Sequence, residues 1–393
     1  MIPNYIRKFI SNWINYLGAV INHNISEKII GHRGSKSELN KYSVKEQRVD
    51  GSWCINPKPK PIVMHLRFTL MDCENSYQFK ILSKQLKYKN FSTLHSLPKM
   101  NPWFIIGLVD SEGTFTIVID KNMKRNLGWR VQAKFQIGLH ISDLDLLLQI
   151  QQFFGGIGSI GKSGKMSFYS VSSIKDLTNI IIPHFEKYCL LTQKAGDFIL
   201  FRNIVKLMNN KNHLSIVGLN KIINIKASMN IGLSNILKEN FNSIVPVEKP
   251  FIKTEYIPDP NWIAGFVNGE GTFDVKIYKS KNNIGYAVQL RFRIPQHERD
   301  TKLIELLIKY FGSGVIEKHT KFPAVTLVLV KFSYINEKII PFFETYPLFG
   351  QKILDFVDWC KIAKLMIDGS HLTIDGLQKI RKIKVGMNKG RKK

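Results

Sequence analysis

Apolar and polar residues alternate through two separated stretches of this chain. In the first, Val131, Ala133, Phe135 and Ile137 share one side, and Arg130, Gln132, Lys134 and Gln136 share the other. In the second, Val288, Leu290, Phe292 and Ile294 face one way, and Gln289, Arg291 and Arg293 the other. A shorter run before it sets Phe273, Val275 and Ile277 against Asp274, Lys276 and Tyr278. A period of two marks half-buried antiparallel strands, with core on one face and solvent or a ligand on the other. Gly158 to Val171 and Gly314 to Val330 predict a second strand pair in each region.

Helical spacing takes over after Asp143 and Asp300, which the pattern predicts as N-caps. Beyond Asp300, the residues Leu303, Leu306, Leu307 and Tyr310 predict a buried stripe that stops at Gly312. Asn101-Pro102 and Asp259-Pro260 open two more apolar runs in the same way. Asn or Asp caps the first turn, and proline at the first helical position loses no intrahelical hydrogen bond. Three further helical stretches close each region. The chain therefore predicts an α+β protein built from α-β-β-α-β-β-α units with extra C-terminal helices.

The two regions are one unit written twice. Ile105-Ile106-Gly107-Leu108-Val109-Asp110-Ser111-Glu112-Gly113 returns as Ile263-Ala264-Gly265-Phe266-Val267-Asn268-Gly269-Glu270-Gly271. Ile181-Ile182-Pro183-His184-Phe185-Glu186 returns as Ile339-Ile340-Pro341-Phe342-Phe343-Glu344, and Gln193-Lys194 as Gln351-Lys352, at the same spacing. A unit of roughly 150 residues is too long for a solenoid or propeller repeat and fits a duplicated domain. The expected organisation is an N-terminal extension at 1–98, partly disordered and without an assignable role, a first repeat at 99–239, a linker at 240–258 and a second repeat at 259–393. Pro246, Pro250 and Pro258 mark the linker as extended. Within the extension, Val63 to Leu70 and Tyr77 to Leu82 predict a strand pair.

Composition then narrows the partner. A net charge of +27 over 393 residues points to a polyanion, with nucleic acid ahead of a membrane surface. Cys54, Cys73, Cys189 and Cys360 are scattered, which argues against a zinc site or a disulfide framework and suits a reducing compartment. No stretch approaches 18 uncharged apolar residues, so no transmembrane helix is predicted. The segment before Glu27 is basic and acid-free, which suits either a mitochondrial targeting sequence or an untargeted N-terminal helix.

Duplication carries Glu112 and Glu270 to the same end of two equivalent helices. If those helices pack through Gly107 and Gly265, the carboxylates meet at one spot, as a divalent-metal nuclease centre requires. A helix C-terminus is electrostatically poor for an acid, which favours a ligand role over a solvated one. Asp110 reads as structural, because its counterpart is Asn268. The outward strand positions Arg130, Gln132, Lys134, Gln136, Lys276, Tyr278, Gln289, Arg291 and Arg293 are of the types that read base edges in a major groove. Lys134 against Arg291, and Gln136 against Arg293, imply an asymmetric target. The tail from Lys389 to Lys393 reads as nonspecific phosphate or solvent contact.

The two motif copies and the sheets after them resemble the LAGLIDADG homing endonucleases, in the single-chain, two-repeat form of fungal mitochondrial introns, over about residues 101–389. The resemblance implies two pseudo-symmetric αββαββα units, each a curved antiparallel sheet backed by helices, that meet along the motif helices. Ile106 stands where the family usually carries alanine, so looser packing is expected there. Carried over, Glu112 and Glu270 are metal ligands, with the carbonyls of Ser111 and Gly269 beside them. Two or more Mg²⁺ ions would bridge carboxylates and phosphates, with Mn²⁺ able to substitute, and would relieve the repulsion of the converging pair. Lys194 and Lys352 match basic residues that order the attacking water, with phosphate contact as the alternative. Gln296 matches the family's water-positioning glutamine; the first repeat has Leu139 there, so that role is one-sided.

The leading reading is a monomeric, metal-dependent, site-specific endonuclease acting on double-stranded DNA in the mitochondrion. An intron-RNA-binding maturase is the alternative. A DNA-binding module without cleavage is a third reading, disfavoured by retention of both glutamates.

Overall fold

The computed structural model describes residues 100–391. The N-terminal extension with its expected strand pair, and Lys392 and Lys393, lie outside the described residues. The first repeat runs α1 (Pro102–Glu112), β1 (Gly113–Lys121), β2 (Trp129–His140), α2 (Leu144–Phe153), β3 (Ser159–Ser163), β4 (Met166–Val171), α3 (Ile182–Lys187), α4 (Lys194–Asn209), α5 (Ile216–Ala227) and α6 (Asn235–Asn240). The second keeps the order: α7 (Pro260–Glu270), β5 (Thr272–Lys279), β6 (Tyr286–His297), α8 (Thr301–Phe311), β7 (Val315–Lys318), β8 (Ala324–Leu329), α9 (Ile340–Thr345), α10 (Gly350–Ile367) and α11 (Ile374–Val385). Each repeat holds a four-stranded antiparallel sheet, ordered β1-β2-β4-β3 and β5-β6-β8-β7.

The strand faces follow the alternation. Ala133, Phe135, Ile137, Val288, Leu290, Phe292 and Ile294 are buried, while their outward neighbours stay partly accessible. Behind the first sheet, Phe115 packs its ring on Phe135, Phe185, Phe198 and Phe201. Phe273 repeats that cluster with Phe292, Phe343, Phe356 and Trp359. Aromatic groups from the first two strands of each sheet and from α3 and α4, or α9 and α10, thus fix each sheet to its helical backing.

The stripe on α8 differs from expectation. Leu303, Ile304, Leu307 and Phe311 are buried, whereas Tyr310 is 43% exposed. The helix is turned about one residue from the expected phase, because Ile304 and Phe311 offer an equally apolar face that meets the sheet. Asp143 and Asp300 do precede helices, but neither side chain caps its own helix. The linker has no helix or strand between Asn240 and Pro260, yet it is bound to the first repeat. Val245 N donates to Asn224 Oδ1, Lys249 pairs with Asp197, and Gln193 exchanges two hydrogen bonds with the backbone of Ile252. The tail expectation also needs correcting: Arg391 pairs with Asp355 and Asp358, so that position ties the C-terminus to α10 rather than facing a ligand freely.

The motif helices start as the sequence requires. Asn101 Oδ1 accepts from Trp103 N at 2.8 Å, and Asp259 Oδ1 from Asn261 N at 2.7 Å. Each helix is buried along most of its length, because the partner helix and the two sheets surround it. Glycine sets their distance. A Cβ on Gly107 would lie 2.0 Å from the Trp262 carbonyl oxygen, and one on Gly265 would lie 2.0 Å from that of Phe104. The backbones therefore touch equally on both sides. Ile106 is fully buried beside this contact.

Candidate active site at the crossing of the motif helices

Each motif helix passes straight into a strand, and the carboxylate sits at that junction. Gly113 N–H and Gly271 N–H donate to the carbonyls of Val109 and Val267 and end the helices. Side chains there are excluded, since a Cβ on either glycine would fall within 2.5 Å of the preceding valine's Cγ1. One residue before the end, Gly269 faces Ser111: a Cβ on it would lie 2.1 Å from Ser111 Oγ and 3.0 Å from Glu112 Cγ. This close approach brings the ends of the two helices, and with them Glu112 and Glu270, together.

Two lysines complete the cluster. Lys194 Nζ donates to the carbonyls of Val109 (2.8 Å) and Ser111 (3.1 Å). Lys352 Nζ donates to the carbonyl of Gly271, two residues beyond the position equivalent to Ser111. Burial pushes both ammonium groups below their usual pKa, and Glu112 and Glu270 oppose that shift at each. Burial pushes the carboxyls the other way. Glu270 rises to about 7, with repulsion from Glu112 adding to desolvation and both lysines opposing it. Glu112 is raised by burial and by Asp143, against the same two lysines. Two carboxylates and two ammonium groups make the centre close to neutral. The repulsion that the sequence left for a metal to relieve is thus opposed within the protein itself.

The donors suit a hard divalent cation. Among the described residues neither carboxylate accepts a hydrogen bond, and no group of three or more His, Cys, Asp or Glu side chains converges. Two carboxylates with backbone carbonyls beside them, leaving further coordination to water and phosphate oxygens, match the way Mg²⁺ is held. Of those carbonyls, that of Ser111 already accepts from Lys194, whereas Lys352 bypasses Gly269.

Other residues are sorted by the structure. Asp110 is buried and accepts from Leu191 N (2.9 Å), Thr192 N (3.1 Å), Thr192 Oγ1 (2.6 Å) and, across the interface, Trp262 Nε1 (2.8 Å). It fastens the loop before Lys194 to both motif helices, as a structural residue should. Asn268 ties the loop before Lys352 to its own motif helix only, accepting from Phe349 N at 2.8 Å. Gln296 is not drawn into the cluster. It lies near the end of β6 on the core-side register, and its Oε1 accepts from His297 N. Asp143 and Asp300, taken as caps, instead cross between the repeats: Asp143 Oδ1 accepts from Gln351 N (2.7 Å) and Asp300 Oδ1 from Gln193 N (2.8 Å). The available signal was that both repeats carry an aspartate after the second strand.

The outward sheet faces are more paired than their composition suggests. Arg130 forms a two-pronged bond with Asp120 (3.0 and 2.8 Å). Arg291 pairs with Asp274 on the neighbouring strand, and Arg293 Nη1 stands 3.9 Å from the same carboxylate. Lys276 Nζ lies 5.5 Å over the Tyr278 ring. Gln132, Lys134, Gln136 and Gln289 lie on the same outward register and are half-buried. No helix among the described residues is long and apolar enough to cross a membrane.

Residues 105–205 and 263–363 each match the LAGLIDADG endonuclease family. Probable intron-encoded endonuclease 3 of Neurospora crassa is 47% identical over 96% of this chain and 74% of its own length. Probable intron-encoded endonuclease 2 of the same fungus is 41% identical over 72% of this chain and 64% of its own. An uncharacterized 50.9 kDa protein in ND4 intron 1 of Podospora anserina is 38% identical over 48% of this chain and 44% of its own. Among solved structures, the I-SmaMI LAGLIDADG homing endonuclease bound to cleaved DNA superposes with a TM-score of 0.74 at 47% identity, covering 75% of this chain and 99% of that one. The same enzyme bound to its uncleaved target with calcium ions gives 0.73 at 46% identity, covering 74% of this chain and 100% of that one.

Proposed function

This chain belongs to the LAGLIDADG endonuclease family, and from that premise we propose that it is a homing endonuclease hydrolysing both strands of a long, asymmetric DNA target. The carrying observation is the meeting of Glu112 and Glu270 at the glycine crossing, each within reach of the lysines of both repeats. Glu112 and Glu270 hold Mg²⁺ in this reading, with the Ser111 and Gly269 carbonyls beside them. An ion held there would supply an activated water and charge stabilisation at the leaving oxygen. Lys194 and Lys352 orient water or a phosphate oxygen at the edge of the carboxylate pair. Arg130, Gln132, Lys134 and Gln136 read one half-site, and Lys276, Tyr278, Gln289, Arg291 and Arg293 the other. Gln296 has the weakest support of the set, since its carbonyl is turned to its own backbone. The protein acts as a monomer, because one chain supplies both halves of the site, and in the mitochondrion, a location supported by the relative in an ND4 intron. Among the described residues no observation favours the maturase reading.

The test is cleavage of a library of intronless alleles with and without Mg²⁺. Glu112→Gln or Glu270→Gln should abolish cutting of the recovered target, while gel-shift binding in Ca²⁺ persists, since positioning rests on the sheets. Full double-strand cutting by either single variant would sink the shared site.

A further inference from the structure

We propose that Asp143 and Asp300 are exchanged positioning residues, each holding the catalytic lysine of the opposite repeat in place. The inference rests on the endonuclease reading for its consequence and on geometry for its substance. Gln193 N–H and Gln351 N–H lie at the starts of the helices that carry Lys194 and Lys352. Each donates to an aspartate of the other repeat, at 2.8 Å to Asp300 and 2.7 Å to Asp143. A helix start offers unpaired N–H groups and a partial positive charge, so a carboxylate there both satisfies and orients it.

The fit is built on both sides. Gly350 has a φ of +60°, and a Cβ on it would lie 2.1 Å from Asp143 Oδ1, so only glycine lets that aspartate in. Gln351 Nε2 adds a 3.4 Å bond to the Ser142 carbonyl, reinforcing the same approach. Asp300 is 4% exposed, and Arg299 Nε lies 3.6 Å from its second oxygen, which steers the first toward Gln193. Neither aspartate caps the helix it precedes. From these anchors Lys194 reaches the carbonyl of Ser111, beside Glu112, and Lys352 that of Gly271, beside Glu270. The second repeat's aspartate thus sets the first repeat's lysine, and the reverse, so each lysine's placement depends on the turn after the second strand of the other repeat.

A residue that only stabilised the fold would affect both strands alike; an exchanged positioning residue would not. On the full-length protein with its recovered target, each strand end-labelled separately, Asp300→Ala should slow one strand by about tenfold or more and Asp143→Ala the opposite strand. Asp300→Asn and Asp143→Asn, which keep an acceptor oxygen, should restore most of the rate. Equal slowing of both strands, or the same strand slowed by both variants, overturns the proposal. A second readout needs no cutting. Hydrogen exchange in Asp300→Asn and Asp300→Ala should show the 191–194 amides opening only in the alanine variant, with 349–352 unchanged, and Asp143→Ala should give the converse. Unchanged exchange in the opposite repeat also overturns it. If the wild-type protein cuts no library member, the endonuclease reading falls, while exchange still decides the anchoring.

Discussion

His184 and Phe342 occupy equivalent positions in the two repeats, and only the histidine can take up a proton. His184 sits among the rings of Phe153, Phe154, Phe185 and Tyr188, and Phe342 among those of Tyr310, Phe311, Phe343 and Tyr346. Burial first, then the Lys187 charge, pushes His184 from 6.5 down to about 4. A depressed folded-state value means that the neutral form is the buried one. Its stability is fully present above pH 6.5 and is lost as pH falls from 6.5 through about 4. At pH 5 the loss is about 2 kcal/mol. His184→Phe, which copies the second repeat, should narrow the stability gap between pH 7.5 and pH 5 by about that amount in urea unfolding. An unchanged gap would mean that the imidazole titrates normally and the ring cage is open.

At the scale of elements, the helix crossing and the sheet faces each carry an expectation. Gly265→Ala would place a methyl 2.0 Å from a backbone oxygen, where no flexible side chain can yield. Overpacking of this kind costs about 1–3 kcal/mol or more, and it should also move Glu270 relative to Glu112. Thermal melting should show the loss, and cleavage should fall further than DNA binding does. On the sheet, Asp274 holds Arg291 by a hydrogen-bonded ion pair and lies 3.9 Å from Arg293, whose charge it partly offsets. Arg293→Ala should relax base preference at one or two positions of a single half-site, by about 1–3 kcal/mol. Asp274→Asn should blur those same positions while strengthening binding to unrelated DNA, because it frees two cations from an internal carboxylate. Cleavage profiles over singly substituted targets separate the cases. A uniform loss at every position for Arg293→Ala would place that side chain on the phosphate backbone.

For the whole molecule, both motif helices, both sheets and their helical backing fall within residues 100–391. Met100 is 7% exposed and packs in the core, so a cut must fall ahead of it. Removing residues 1–94 should leave a folded protein, by circular dichroism, that binds the full-length protein's target. A folded truncation that no longer binds would assign the extension to DNA recognition. The full chain carries a net charge of +27, and its binding should weaken steeply with salt.

Internal duplication made much of this protein readable from its residues alone. Period-two alternation assigned the two faces of each sheet, repeated glycines located the helix crossing, and repetition of Glu112 as Glu270 implied a shared centre. These features rest on spacing within one segment or on comparison of one segment with another. Partners across the molecule do not. Asp143 meets Gln351 over 208 residues, Asp110 meets Trp262 over 152, and Asp300 meets Gln193 over 107. Alternation shows which side of a strand Arg291 occupies, but only the neighbouring strand's register brings Asp274 to it. The phase of α8 was likewise settled by the surface it meets, since several neighbouring apolar residues could have formed its buried stripe. Periodicity determines the face that a side chain presents, whereas its partner depends on which distant backbone packing brings to that face; here the glycine crossing makes that choice.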